Sequence, residues 1–126
     1  MTKRETLEIP REAWGDYLNA LSNREHDHPV MVRIEGREIG DQVLAEHVPL
    51  VGISVEKKGS EANAIELTLA HRDQRSLNHM IQTPEHVYVE ESANGEVMCL
   101  DIEDQAQVKT LIFFERYMEL PAGTEG

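Results

Sequence analysis

The stretch from Gly40 to Ala70 constrains the fold most tightly, because apolar and polar residues alternate along it with a period of two. This alternation is typical of strands that bury one face. The apolar positions form three successive sets: Leu44 and Val48; Val51, Ile53 and Val55; Ile65, Leu67 and Leu69. Pro49 predicts a strand break or an edge, and Gly52 predicts close approach of another backbone. The stretch therefore predicts three short strands joined by two turns.

The same alternation continues on both sides of this stretch. It recurs at residues 30–34, 77–81 and 98–102, whereas residues 87–89 are strand-forming and residues 108–114 are apolar on both faces. Turn residues such as Asn94-Gly95 separate these segments at intervals of about 8–12 residues, which predicts an antiparallel meander. Residues 77–82 also fit a short helix, although a strand is preferred. We expect about seven strands over residues 29–117, curling into a half-barrel or a sandwich.

A helix is predicted over residues 10–22. Pro10 suits the first helical turn, where its missing N–H would be unpaired anyway. Apolar residues then recur at helical spacing and make one stripe: Trp14, Tyr17, Leu18 and Leu21. The stripe needs an apolar surface to cover, and the sheet is the only large one. The predicted fold is α+β and mostly β, in one domain over residues 1–126, with a loose N-terminus at 1–8 and a frayed tail at 120–126.

The charge balance restricts the partners. The chain has 24 Asp and Glu against 12 Lys and Arg, a formal net charge of −12, and it contains no basic stripe. Nucleic-acid backbones and anionic membranes repel such a surface, so we expect neither as a direct partner. A basic partner would be attracted, although solubility alone is the simpler explanation of the acidity.

Cysteine usage and hydropathy favour a cytoplasmic protein. Cys99 is the only cysteine, so no intrachain disulfide can form. No apolar run approaches the roughly 18 residues of a membrane span. Residues 1–10 also lack the apolar core of a secretory signal.

Motifs for catalysis, cofactors and metals are absent from the sequence. It contains no Gly-rich phosphate loop, no G-x-S-x-G, no H-E-x-x-H and no paired cysteines. We therefore expect no cofactor and no catalysis. His26 and His28 are weak candidates for metal binding, since a structural zinc site has four ligands and these are only two. Cys99 has acidic neighbours that disfavour a thiolate. Asp101, Glu103 and Asp104 fit a solvated acidic turn better than a calcium loop.

Two groups of residues are candidates for binding. His79 alternates with Leu77 and Ile81, which points it toward apolar neighbours as a core histidine or a ligand contact. A pocket between helix and sheet would combine it with His47. The last strand is apolar on both faces, so either the helix covers its second face or a neighbouring copy does; this predicts an interaction surface, with a protein partner or a second copy of the chain as its occupant. That surface consists of Leu111, Ile112, Phe113 and Phe114.

Four segments in order carry a family resemblance that spans most of the chain. They are residues 9–14 (IPREAW); residues 40–53, with Gly40-Asp41-Gln42-Val43, Glu46, Pro49-Leu50 and Gly52-Ile53; residues 78–90, with Asn78-His79-Met80-Ile81, Pro84, Val87, Val89 and Glu90; and residues 100–111, with Leu100-Asp101-Ile102-Glu103 and Thr110-Leu111. With these segments the chain resembles the uncharacterised prokaryotic domain-of-unknown-function family 5335. The resemblance implies a small, mostly-β cytoplasmic protein, and it implies no activity or ligand. The turn at 104–107 departs from the Asp-Gly that similar chains often carry there.

Three functions remain open from the sequence. The first is an acidic binding module, without catalysis, that docks a protein partner or itself. The second is a small-molecule-binding protein or a small enzyme, with a pocket near His79 and His47. The third is an acidic nucleic-acid mimic that inhibits a basic protein, which requires carboxylates spaced like phosphates on one face.

Overall fold

A computed structural model describes residues 5–57, 63–70 and 76–116 of the chain. One helix, α1, accompanies an eight-stranded antiparallel sheet with the order β1-β6-β7-β8-β2-β3-β4-β5. The elements are β1 Glu5–Ile9, α1 Trp14–Arg24, β2 Pro29–Gly36, β3 Gly40–Val55, β4 Ile65–Ala70, β5 Ser76–Ile81, β6 Pro84–Glu91, β7 Val97–Asp104 and β8 Lys109–Phe114. The sheet is open, with β1 and β5 at its edges. The predicted α+β, mostly-β fold is confirmed, with eight strands rather than about seven.

The N-terminal residues differ from the prediction. Glu5–Ile9 is not loose, because it pairs antiparallel with β6 from Glu5 opposite Glu91 to Ile9 opposite Val87. Most of its side chains are exposed, so backbone hydrogen bonds rather than burial hold this edge strand. The polar sequence therefore carries no alternation that could have indicated it.

The helix begins later and ends later than predicted. A 3-10 turn at Arg11–Ala13 precedes α1, and Pro10 has an extended backbone conformation. The Trp14 indole N–H donates to the carbonyl oxygen of Ile9 at 3.0 Å, which fixes the entry of the chain into the helix. The predicted frayed tail at 120–126, and the predicted end of the sheet at 117, lie outside the described residues. Within the described residues, no helix is long and apolar enough to cross a membrane.

Strand β3 is one continuous strand, where the sequence predicted two. Its first half pairs with β2 as far as Pro49 opposite Pro29, and its second half pairs with β4 from Leu50 opposite Leu69. Shifts of register mark the change of partner, and His47 has a positive φ of 54°. The predicted break at Pro49 is therefore a change of partner within a bent strand.

Helix α1 covers the part of β3 that β2 no longer pairs. The Ser22 hydroxyl accepts a hydrogen bond from the Ile53 N–H at 2.8 Å, and its own proton faces two carbonyl oxygens, that of Leu18 at 2.8 Å and that of Ile53 at 2.9 Å. Leu18 and Leu21, on the same stripe, are 0% and 1% exposed. The hydroxyl thus satisfies a strand N–H that would otherwise be buried without a partner.

We expect Ser22→Ala to lower the free energy of unfolding by about 1–3 kcal/mol, because the buried N–H of Ile53 then has no acceptor. Urea unfolding measures the change. Ser54→Ala, at an exposed position on the same strand, is the matched control, and we expect it to stay within about 0.5 kcal/mol of the parent. Equal effects of the two substitutions would contradict the proposed role of the hydroxyl.

The two faces of the sheet differ. The inner face carries the core, where residues such as Val89, Leu100 and Ile112 are 0% exposed and belong to one cluster with the buried side chains of α1. No described helix lies on the outer face of β6, β7 and β8, where the side chains are half-buried or exposed apart from the buried Cys99. We call this outer surface the open face. Its centre is formed by Tyr88, Glu90, Cys99, Asp101, Leu111 and Phe113.

Candidate functional site

Strand register assembles the open face into two rows. In one row, Tyr88 lies opposite Asp101, which lies opposite Leu111, which lies opposite Arg33. In the other row the residues are Glu90, Cys99, Phe113 and Met31. Directly opposite residues in a sheet have Cβ atoms about 4.5–5.5 Å apart. Each row is therefore a line of touching side chains across neighbouring strands.

A depression of about 410 Å³ lies over these rows. Its lining combines apolar and acidic side chains: Thr6, Tyr88, Glu90, Cys99, Asp101, Glu103, Leu111 and Phe113. Sites for small ligands typically measure about 300–1,000 Å³, so this depression is at the small end of that range. It offers room for one extended side chain or a small molecule, on an apolar floor with acidic flanks.

Asp101 is the unusual group in the depression. Its Oδ1 atom is buried and has no hydrogen-bond partner within residues 5–57, 63–70 and 76–116. Burial, and next the charge of Glu103, raise the pKa of the Asp101 carboxyl to about 6, although Lys109 opposes the shift. A carboxylate placed where its charge is poorly compensated destabilises the fold at neutral pH. Groups of this kind are concentrated at functional sites.

The nearby cations already have other partners. The Lys109 ammonium lies 3.7 Å from Glu103, and the Arg33 guanidinium lies 3.1 Å from Glu35 and 3.6 Å from Asp41. Neither forms a described ion pair with Asp101. The Asp101 carboxylate thus has no ion-pair partner among the described residues.

Tyr88 forms one wall of the depression. His86 stacks on its ring with the centroids 5.7 Å apart, and the Nδ1 atom of His86 lies 2.9 Å from a carboxylate oxygen of Glu8. That hydrogen bond raises the pKa of His86. Burial, and next the charge of Glu8, raise the pKa of the Tyr88 phenol. Tyr88 therefore stays neutral at physiological pH, as a fixed aromatic wall.

The raised pKa of Asp101 predicts a pH dependence of stability. Because this pKa is higher in the folded than in the unfolded chain, the folded state binds the extra proton, and stability rises as pH falls from about 6 toward 4. After allowance for partial exposure, we expect Asp101→Asn to raise the free energy of unfolding at pH 7 by about 1 kcal/mol and to be nearly neutral at pH 4. Urea unfolding at both values checks this, and Asp16→Asn on the helix surface is the control of equal charge. Destabilisation by Asp101→Asn at pH 7 would contradict it.

The predicted interaction surface is split between the two faces. Leu111 and Phe113 lie on the open face, where they line the depression. Ile112 and Phe114 are 0% and 3% exposed and belong to the core. The sequence prediction that all of them form one surface needs this correction, because successive residues of a strand point to opposite faces.

The structure does not bring His47 and His79 together. His79 lies on the inner face of the edge strand β5, opposite Leu67, and burial lowers its pKa. Leu67 in turn lies opposite Ile53, six residues along β3 from His47, which is about 20 Å of extended chain. His47 is instead exposed, with its Nδ1 atom 2.7 Å from a carboxylate oxygen of Glu115. A pocket shared by the two histidines is therefore not formed.

The histidines of the connector face different partners. The Nδ1 atom of His26 lies 3.4 Å from Asp27, whereas His28 contacts Glu25 and the carbonyl oxygen of Glu115. In the part of the chain that the structure describes, no group of three or more His, Cys, Asp or Glu residues could hold a metal ion.

Asp101 and Tyr88 are the site residues that sequence reasoning missed. The sequence predicts Asp101 in a solvated turn, yet Asp101 lies within β7. The turn is made by Asp104, whose carboxylate accepts hydrogen bonds from the N–H groups of Ala106 and Val108. Alternation with Leu100 and Ile102 already places Asp101 on the face opposite the core. What the sequence does not show is that Tyr88 and Leu111 flank it there.

Comparison with known proteins gives a family and no activity. The Family of unknown function (DUF5335) matches residues 5–123. An "Uncharacterized protein" of Aquifex aeolicus (strain VF5) is 29% identical over 116 residues, which cover 92% of this chain and 97% of that protein. No solved structure matches the chain significantly.

Proposed function

The chain belongs to DUF5335, a family of unknown function, and from the open face we propose that it is a binding domain without catalysis that docks a basic protein partner. The observation that carries the proposal is the depression at Asp101, where an unpaired buried carboxylate oxygen adjoins an apolar floor. A partner that covers the depression would remove the apolar floor from water and compensate the charge.

The composition of the open face supports a docking role. Leu111 and Phe113 form an apolar centre, and acidic side chains surround it. Protein interfaces commonly have this arrangement of a dry apolar centre and a polar rim. The face thus has the chemistry of an interface with one sign of charge.

A basic partner is favoured over a second copy of the chain. The open face carries the carboxylates Glu8, Glu35, Glu90, Asp101 and Glu103 against the cations Arg33 and Lys109. Two such faces apposed in a homodimer would bring like charges together, which costs free energy, whereas a basic surface would gain attraction and a faster encounter. The homodimer predicted from the sequence is therefore our second choice of partner for this face.

Catalysis is less well supported by the same geometry. A general acid or base needs a reacting group and a second catalytic group within hydrogen-bond reach. The buried Oδ1 atom of Asp101 has no hydrogen-bond partner among the described residues. Cys99 is only 8% exposed, so a substrate would have little access to its sulfur. We place the binding role in the cytoplasm, since the fold requires no disulfide.

Capture of partners from a cell lysate tests the proposal. We expect the parent to retain a basic protein, Leu111→Asn to lose it, and Val51→Asn to keep it, because Val51 is an exposed apolar strand residue away from the open face. Thermal unfolding would verify that both variants remain folded. Equal capture by both variants, or light scattering that shows only self-association through Leu111, would overturn the proposal. Retention of a protein with a basic nucleic-acid cleft would favour the acidic-mimic alternative.

A further inference from the structure

We propose that the depression is the receptor for one arginine side chain of the partner, whose guanidinium binds Asp101 and whose aliphatic stem lies on Leu111 and Phe113. This inference rests on the proposed function and names the group that anchors the partner. Lysine would occupy the same place with fewer hydrogen bonds.

The shape of the depression suits a long side chain with a charged head. Leu111 and Phe113 give it an apolar floor, and its volume of about 410 Å³ admits an extended stem. Arginine and lysine side chains bury their methylene stems along apolar surface and keep the charge at the tip. An acidic group at the end of an apolar floor is the complement of such a side chain.

The unsatisfied carboxylate oxygen of Asp101 favours a guanidinium as the head group of the bound side chain. The Oδ1 atom of Asp101 has no described hydrogen-bond partner, and a buried acceptor of this kind is stabilised by an incoming donor. A guanidinium presents several N–H donors in a planar fork that matches a carboxylate. It can also stack on the ring of Tyr88, which forms the adjacent wall. No described cation occupies this position, since Lys109 and Arg33 pair with other carboxylates.

Neutral or acidic groups fit the depression less well. Glu90 and Glu103 line it beside Asp101, so an anion would meet like charges. An apolar group would cover the floor and leave the Asp101 oxygen buried and unpaired, which is the costly case. Arginine is the side chain that satisfies both parts of the lining.

Binding of a guanidinium should weaken as Asp101 takes up a proton. The charged or titratable groups that face this carboxyl are Tyr88 and Glu90 from β6, Cys99 and Glu103 on its own strand, Lys109 from β8, and Arg33 and Glu35 from β2. Comparison with Asp101→Asn separates the part of the pH response that belongs to Asp101 from the parts that belong to these neighbours.

Two-dimensional NMR titration of the full chain with n-butylguanidinium tests the inference at pH 7. We expect amide shifts confined to the neighbourhood of Tyr88, Asp101 and Leu111, with a dissociation constant of about 1–10 mM, the range typical of so small a ligand. Asp101→Asn should weaken binding at least about tenfold, and Asp16→Asn should leave it unchanged. Binding to the parent should also weaken at pH 5.

Three outcomes would overturn the arginine anchor. They are equal binding by Asp101→Asn, shifts scattered over the surface carboxylates, and equal shifts from n-butanol, which has no charge. Because the lysate capture uses Leu111→Asn rather than this probe, its result stands independently. Capture that depends on Leu111 while the titration fails would keep the docking function and reject only the arginine anchor.

Discussion

Glu25→Gln is expected to lower the free energy of unfolding by about 3–5 kcal/mol, one of the two largest effects predicted for a single change in this protein. Glu25 and Arg116 are 8% and 9% exposed, and their side chains form a fork with N–O distances of 3.1 and 3.2 Å. Loss of the carboxylate leaves the Arg116 guanidinium buried without its counter-charge. Removal of one partner of a buried pair is far more costly than loss of an exposed one.

The pair matters because it joins three parts of the chain. Glu25 follows the last residue of α1, Arg116 follows β8, and the Arg116 guanidinium also donates to the carbonyl oxygen of Val97, at the start of β7, at 2.5 Å. The guanidinium lies 5.8 Å from the centre of the Phe114 ring as well. Weakening of this contact should loosen the end of β8 relative to the helix.

Urea unfolding of five variants checks this prediction: Glu25→Gln, Arg24→Met, Glu25→Leu, Arg116→Met and the double variant of the last two. Arg24→Met is the control, since Arg24 also contacts Glu25 but is 58% exposed, and it should cost at most about 1 kcal/mol. The double variant Glu25→Leu with Arg116→Met should be more stable than either single variant, because it leaves no unpaired charge. If Glu25→Gln cost no more than Arg24→Met, the pair would not have the stabilising role assigned to it.

The second large effect is expected at Ile112. Ile112→Ala should lower the free energy of unfolding by about 2–5 kcal/mol, because it opens a cavity in a fully buried part of the core. Ile112 is 0% exposed and lies between Leu100 and Val32, which are also 0% exposed.

The neighbouring residue provides the control for Ile112→Ala. Leu111 has the same number of side-chain atoms but points to the open face, so Leu111→Ala should cost at most about 1 kcal/mol. Urea unfolding of both variants compares the two faces of one strand. Equal costs would mean that both faces of β8 are packed, and the open face would then not be available to a partner.

The core of the sheet could be predicted from the sequence because burial leaves a period-two pattern. Positions such as Ile53, Leu67 and Leu69 are buried as their alternation indicates, and residues 76–81 form the preferred strand rather than a helix. The helix stripe was also identified, since Trp14, Leu18 and Leu21 are buried.

Other parts of the fold depend on contacts that no local pattern encodes. Strand β1 pairs with β6, far along the chain, and its exposed side chains show no alternation. Glu25 and Arg116 are 91 residues apart, and each alone resembles an ordinary surface charge. The continuity of β3 through Pro49 also depends on its change of partner from β2 to β4.

The sequence predicts the apolar residues of the candidate site but not its acidic centre at Asp101. The apolar run at 111–114 indicates a surface on β8. Alternation along the strand, however, places Leu111 and Ile112 on opposite faces. Asp101 looked like one more acidic residue in a chain with a net charge of −12. Its importance comes from its burial between Tyr88 and Leu111. The pairing register of β6, β7 and β8 places these residues side by side.

Site-specific photocrosslinking in cells tests the central claim most directly, namely that the open face is the docking surface. A benzophenone side chain would replace Leu111 in one variant and Val51, on an exposed part of β3, in the other. We predict a crosslink to a partner protein at position 111 that is absent at position 51 and is weakened by Asp101→Asn. Crosslinks of equal yield at both positions, or at position 51 alone, would contradict the account.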